Sequence, residues 1–185
     1  MTHVSQLRVT VTLETERGSP EALDRSRRSL WEPWLALGFF AFVTNFVWEM
    51  LQAPLYIGMT QLPWWRGTAI CAFATVGDVV IALVAYAGAT AGRERWWLRR
   101  PSIRRVTLYL AVGLVVTLVL EVVNVYVMHR WSYASAMPLV LGIGVSPIAQ
   151  WLIVPIVTLV LARCHVERAG PHSLLKGQLD GDGGW

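Results

Sequence analysis

Four stretches of the chain stay apolar for longer than a soluble helix or strand requires. Between Leu35 and Met59 the only charged residue is Glu49, between Gly67 and Gly92 it is Asp78, and between Val106 and Met128 it is Glu121. From Trp131 to Ala162 there is none. A bilayer takes about 20 apolar residues per helix. The pattern therefore predicts four transmembrane helices, near 35–57, 68–90, 106–128 and 138–161, forming an all-α polytopic four-helix bundle. Ahead of them Leu7, Val9, Val11 and Leu13 alternate with Arg8, Thr10, Thr12 and Glu14, a strand-like rhythm with no partner strand. Ser19-Pro20-Glu21 supplies a cap, a first-turn proline and a first-turn acid, which predicts a short amphipathic helix from Pro20 to about Trp31. The end, from Gly170 to Asp-Gly-Asp-Gly-Gly-Trp, reads as disordered. The organisation is then an arm over 1–34, a membrane domain over 35–161 and a tail over 162–185.

Composition agrees: 55% of residues are hydrophobic, 15% are charged and the mean hydropathy is +0.47. A soluble domain carries roughly a quarter charged residues. The basic residues add an orientation. Five arginines precede the first span, six lie between the second and third, and Arg163, Arg168 and Lys176 follow the fourth, leaving Arg66 and Arg130 of the 16 for the other two connections. By the positive-inside rule both termini are cytoplasmic and the membrane is the inner, cytoplasmic one. Trp64, Trp65, Trp96, Trp97 and Trp131 fall just past span ends, as an interfacial belt requires. The basic and aromatic run Arg95–Arg100 reads as headgroup anchoring between two spans, and no nucleic-acid partner is implied. Cys71 and Cys164 fall near opposite faces, too far apart to pair.

Ionisable groups at membrane depth are costly and mark function. Asn45, Glu49 and Gln52 share one face of the first helix, and Cys71, Thr75 and Asp78 repeat that spacing in the second. The third offers Glu121 with Asn124, the fourth Ser146 with Gln150 beside Pro147 and Pro155. At 1.5 Å per residue, Glu49 and Glu121 lie roughly 20 Å from the cytoplasmic boundary and Asp78 roughly 15 Å below the outer one. These positions converge on the outer half and predict a cavity open to the outside, with the three acids facing one another. Two aromatic outer loops could cover it, through Tyr56, Trp131 and Tyr133. Glu49, Asp78, Glu121 and His129 are the candidate metal ligands. The separations Glu49 to Asp78 and Glu121 to Gln150 are equal, which suggests a parallel internal repeat.

Absences narrow the chemistry. The single lysine is Lys176 in the tail, so a retinal Schiff base within the spans is excluded, and no span holds the histidine pair of a bis-His haem. Gly-x-Ser-x-Gly, His-Glu-x-x-His, phosphate-loop and Cys-x-x-Cys motifs are all missing. The identity of any cofactor is left open by these absences.

The string Asn45-Phe46-Val47-Trp48-Glu49-Met50-Leu51-Gln52-Ala53-Pro54-Leu55-Tyr56 resembles a pattern in short bacterial integral membrane proteins of unknown function. Gly77-Asp78, Trp131-Ser132-Tyr133 with Met137-Pro138, and Pro147 with Gln150-Trp151 are similar to its later parts. The resemblance implies a four-span bundle and no activity. A looser likeness to small carotenoid-cyclase membrane subunits rests on size and acidic spans. The residues suggest a site for a small polar or cationic ligand, in a carrier, receptor or accessory subunit. Glu49, Asp78 and Glu121 would supply its charge; Asn45, Gln52, Asn124, Ser146 and Gln150 would orient the ligand. The alternatives are an enzyme acting on a lipid or isoprenoid, and a structural subunit or homo-oligomer needing no ligand.

Overall fold

The computed structural model describes residues 20–90, 97–98 and 101–168, with side chains from Glu32 onward. The strand-like stretch at 7–14, the glycine-rich end and most of the basic run at 95–100 lie outside the described residues. Four helices make up the fold: α1 Pro20–Gln52, α2 Trp64–Thr90, α3 Ile103–Val122 and α4 Val145–Arg168. A π-helical turn, Val123–Val127, continues α3. Each helix contains a stretch long and apolar enough to cross a membrane, Glu32–Leu55, Trp64–Thr90, Ile103–Val127 and Val145–Arg168. The protein is thus a multi-pass α-helical membrane protein. Its helices form a ring in which α1 packs on α2 and α4, and α3 packs on the same two. Large apolar side chains such as Phe39, Phe73, Val115 and Val160 point outward. With no hydrophobic driving force between helices in lipid, small residues such as Ala41, Ala82 and Ala85 and polar ones such as Asn45, Thr75 and Gln150 share the interior with a few large rings.

The largest departures from the hydropathy reading are at the start of α1 and at both ends of α4. The helix that starts at Pro20 does not stop near Trp31; it runs unbroken through Pro33 into the first span. Proline removes one backbone hydrogen bond, and Ala36 and Leu37, buried just beyond it, pack the helix into the core. The fourth helix begins at Val145, not near 138. Leu139–Val140 and Ile143–Gly144 instead form a two-stranded antiparallel hairpin. An apolar run of that length fits strand or helix equally well by hydropathy, and the turn is made by Leu141 and Gly142, both at positive φ. The fourth helix also extends past 161 to Arg168.

The two connections 53–63 and 128–144 meet at one end of the bundle. Ile57 N–H donates to the Ser132 carbonyl at 2.9 Å and Ala134 N–H to the Leu55 carbonyl at 2.9 Å, pairing Tyr56 with Tyr133 as an antiparallel bridge. The opposite end, carrying the 91–102 connection, is closed by an aromatic plug. Trp97 is 1% exposed and stacks on Tyr86 at 4.9 Å, and Tyr86 meets the edge of Trp34 at 4.8 Å. The Trp97 indole N–H donates to Thr90 Oγ1 at 3.0 Å. Leu98 is buried beside it. Trp97 therefore belongs to the core, not to the interfacial belt, because two tyrosine faces offer it more contact than a headgroup layer would. Trp64 and Trp65 are exposed as a belt requires. Toward the middle, Gly113 of α3 lets the Trp151 ring of α4 approach its backbone; a Cβ there would lie 2.0 Å from that ring.

Candidate functional site

Between the plug and the paired loops the interior turns polar. Gln150 of α4, buried, is the hub. Its amide nitrogen donates to Asn45 Oδ1 of α1 at 2.9 Å and to Asp78 Oδ2 of α2 at 2.9 Å, and lies 3.4 Å from Glu49 Oε1. An amide nitrogen has two hydrogens, so the two short bonds use both and Glu49 shares one at longer range. Glu49 is served better by Gln52 Nε2 at 2.6 Å. The Gln52 nitrogen also donates to Gln150 Oε1 at 3.3 Å, while its oxygen accepts from Ser146 Oγ at 2.7 Å and Trp48 Nε1 at 3.2 Å. Gln52 thereby fills all four of its hydrogen-bonding positions. Asn45 in turn donates to the Ala41 carbonyl at 2.8 Å. Helical spacing explains the convergence: Asn45, Glu49 and Gln52 on α1 face Ser146 and Gln150 on α4, while Asp78 reaches the same amide from α2.

Glu121, buried on α3, is held differently. Tyr133 donates its hydroxyl to Glu121 Oε2 at 2.5 Å, and Trp131 Nε1 lies 3.4 Å from the same oxygen. Tyr56 and Tyr133 rings sit 5.8 Å apart. Burial pushes the Tyr133 hydroxyl above the ordinary phenol range, and its bond to Glu121 adds to the shift, so it remains a protonated donor. The Tyr56 hydroxyl is raised first by burial, then by the neighbouring acids Glu121, Glu49 and, least, Asp78. No described residue bonds the Tyr56 hydroxyl.

Most expected positions come together here. Asn45, Glu49, Gln52, Asp78, Ser146 and Gln150 form one network, and Tyr56, Trp131 and Tyr133 lie across the end that holds Glu121. Asn124 is buried one turn beyond Glu121 but joins neither group: its nitrogen donates to the Leu120 carbonyl at 2.8 Å and its buried oxygen has no partner. His129, exposed and with a φ of 51°, stands outside the cluster. Among the described residues no three His, Cys, Asp or Glu side chains come close enough to hold a metal ion. The suggested repeat has mixed support: its second members, Asp78 and Gln150, bond to each other, but Glu49 takes amides where Glu121 takes aromatic donors. Trp48 was not anticipated as a partner, although its i, i+4 spacing to Gln52 is visible in the sequence. The Thr44–Thr158 hydroxyl pair, 2.7 Å apart between α1 and α4, left no such signal.

Among the described residues no lysine, arginine or histidine pairs with Glu49, Asp78 or Glu121, and the one ion pair is Arg163 with Glu167 on the surface of α4. Glu49 Oε2 and Asp78 Oδ1 likewise have no bonding partner among them. The arrangement is one of neutral donors aimed at carboxylates, with no cation among the described residues to balance them. The chain matches no family model, no curated protein and no solved structure.

Proposed function

We propose that the protein binds a small cationic or polar ligand at the acid and amide cluster, beneath the Tyr56, Trp131 and Tyr133 loops, as a carrier, receptor or accessory subunit. The observation that carries this reading is that Glu49 and Asp78 both approach one amide nitrogen, that of Gln150, with no positive side chain paired to them among the described residues. Hydrogen bonds from amides support a carboxylate but do not neutralise it, and two carboxylates at membrane depth call for a cation or protons from outside the chain. The positive-inside rule, applied to the fourteen basic residues on one side of the spans, supports a cytoplasmic location for that side and with it a cluster that faces outward. The aromatic plug around Trp97 closes the other end, which suits a site loaded from one side. The saturation of Gln52 favours a competing reading, a purely structural network joining helices.

The two separate in Glu49→Gln and Asp78→Asn, which keep shape and hydrogen-bonding capacity. Purified protein would be melted with and without sodium, magnesium or tetramethylammonium chloride, choline-free and at constant ionic strength. A bound cation at a hundred times its dissociation constant stabilises by about 2.7 kcal/mol. The expected result is a cation-dependent rise in melting temperature that both variants abolish while melting near wild type without ligand. No rise for wild type with any probe, or an equal rise in the variants, refutes the site.

A further inference from the structure

The hairpin between α3 and α4 departs from ordinary turn chemistry. Val140 stands opposite Ile143, and the two residues between them, Leu141 and Gly142, have φ of 52° and 85°. Positive φ at both central positions is the type I′ arrangement, which selects asparagine, aspartate or glycine at the first of them. Here that position holds a leucine, strained in its backbone and 99% exposed. Leu139 and Val140 are each 52% exposed. From Ala136 to Val145 no side chain carries a charge or a conventional hydrogen-bonding group.

The turn does not stand clear of the bundle. Tyr126 donates its hydroxyl to the Gly142 carbonyl at 2.5 Å, and a Cβ on Gly142 would lie 2.8 Å from that hydroxyl. The hairpin is therefore held within one tyrosine side chain of the end of α3. Val122, Tyr126, Val127 and Met128 around that point are all exposed, continuing the outward apolar surface of a membrane-crossing helix. Tyrosine at such a point is typical of the lipid–water boundary.

We propose that the tip Leu139–Leu141 is immersed in the leaflet edge at this end of the bundle, with lipid acyl chains as its occupant. Three observations favour lipid over water or protein: the tip extends the surface that α3 already presents to the bilayer, it contains no polar side chain, and its most exposed residue is a leucine, held there although the backbone angles of that turn position suit asparagine, aspartate or glycine. The immersion has a structural consequence. Gly144 passes under Tyr133, where a Cβ would lie 3.0 Å from its ring and 3.2 Å from Met137 Sδ, and Val145 N–H donates to the Pro138 carbonyl at 2.8 Å. The hairpin and the Tyr133 segment are thus one packed unit, and lipid contact at the tip steadies the tyrosine that bonds Glu121.

The test is nitroxide labelling at Leu141→Cys in a Cys164→Ser background, the remaining Cys71 being buried. The protein is reconstituted in vesicles of phosphatidylcholine and phosphatidylglycerol, and collision with oxygen is compared with collision with a nickel chelate. Ser135→Cys, on the loop, and Val115→Cys, exposed in the middle of α3, are the aqueous and lipid references. The expected oxygen-to-nickel ratio at Leu141 is severalfold above that at Ser135 and below that at Val115, as a position at the leaflet edge requires. A ratio matching Ser135 overturns the proposal, and so does low access to both reagents, which would mean a protein surface covers the tip. In a second experiment the label sits at Val140→Cys and Leu141→Asn is added, giving the turn its preferred residue. Helix content should hold while Val140 moves toward the aqueous ratio; an unchanged ratio would show that Leu141 does not secure the tip in lipid.

Discussion

Replacing Gln150 by leucine removes the hub of the polar network while nearly keeping its volume. Three bonds that tie α4 to other helices go with it: to Asn45 and Asp78 at 2.9 Å each, and from Gln52 at 3.3 Å. The longer contact to Glu49 shares a hydrogen and adds little. Interhelical hydrogen bonds in membranes average about 0.6 kcal/mol and reach about 1.7, so three of them amount to roughly 2 kcal/mol and at most about 5. The loss should fall in the upper part of that range, because the buried Asn45 oxygen and one Asp78 oxygen are left without donors. The assay is reversible unfolding in mixed micelles, followed by circular dichroism, for Gln150→Leu, Asn45→Leu and the double variant. The double variant should be less destabilised than the sum of the singles by about 0.6–1.7 kcal/mol, since removing both partners leaves no orphan between them. A single variant within about 0.5 kcal/mol of wild type, together with strict additivity, would show that the amide does not link these helices.

Gly113→Ala puts a methyl 2.0 Å from the Trp151 ring, where ordinary contact begins near 3.4 Å. A rigid indole cannot yield cheaply, so unfolding should show a loss of about 1–3 kcal/mol, largely restored by adding Trp151→Leu; no loss would mean α3 and α4 pack more loosely than described. For orientation, single cysteines at Gln61 and Ser135, both exposed at the loop end, should react with a membrane-impermeant maleimide added outside intact cells, and protection at both would reverse the proposed topology.

Hydropathy and charge spacing were enough to determine that four helices cross a membrane, because in lipid every backbone polar group must be satisfied within its own helix and length alone then decides a span. The i, i+3 and i+4 spacings also showed which polar residues share a face. For this reason Asn45, Glu49, Gln52, Ser146 and Gln150 could be grouped before any contact was known. Which helix each face meets depends on the ring order and relative depth of the helices, and periodicity within one helix contains neither. Only the tertiary structure decided that Gln150 joins Asp78 to Asn45, that Glu121 binds the loop through Tyr133 instead of joining the amides, and that Asn124 keeps an unpartnered oxygen. Trp97 was misplaced for the same reason: hydropathy sees a tryptophan past a span end, while two tyrosines one helix away from each other draw it into the core. The hairpin at 139–144 was hidden in an apolar run because a strand in contact with lipid and a helix in contact with lipid need the same residues, and the choice lies in backbone angles at Leu141 and Gly142 that composition does not record.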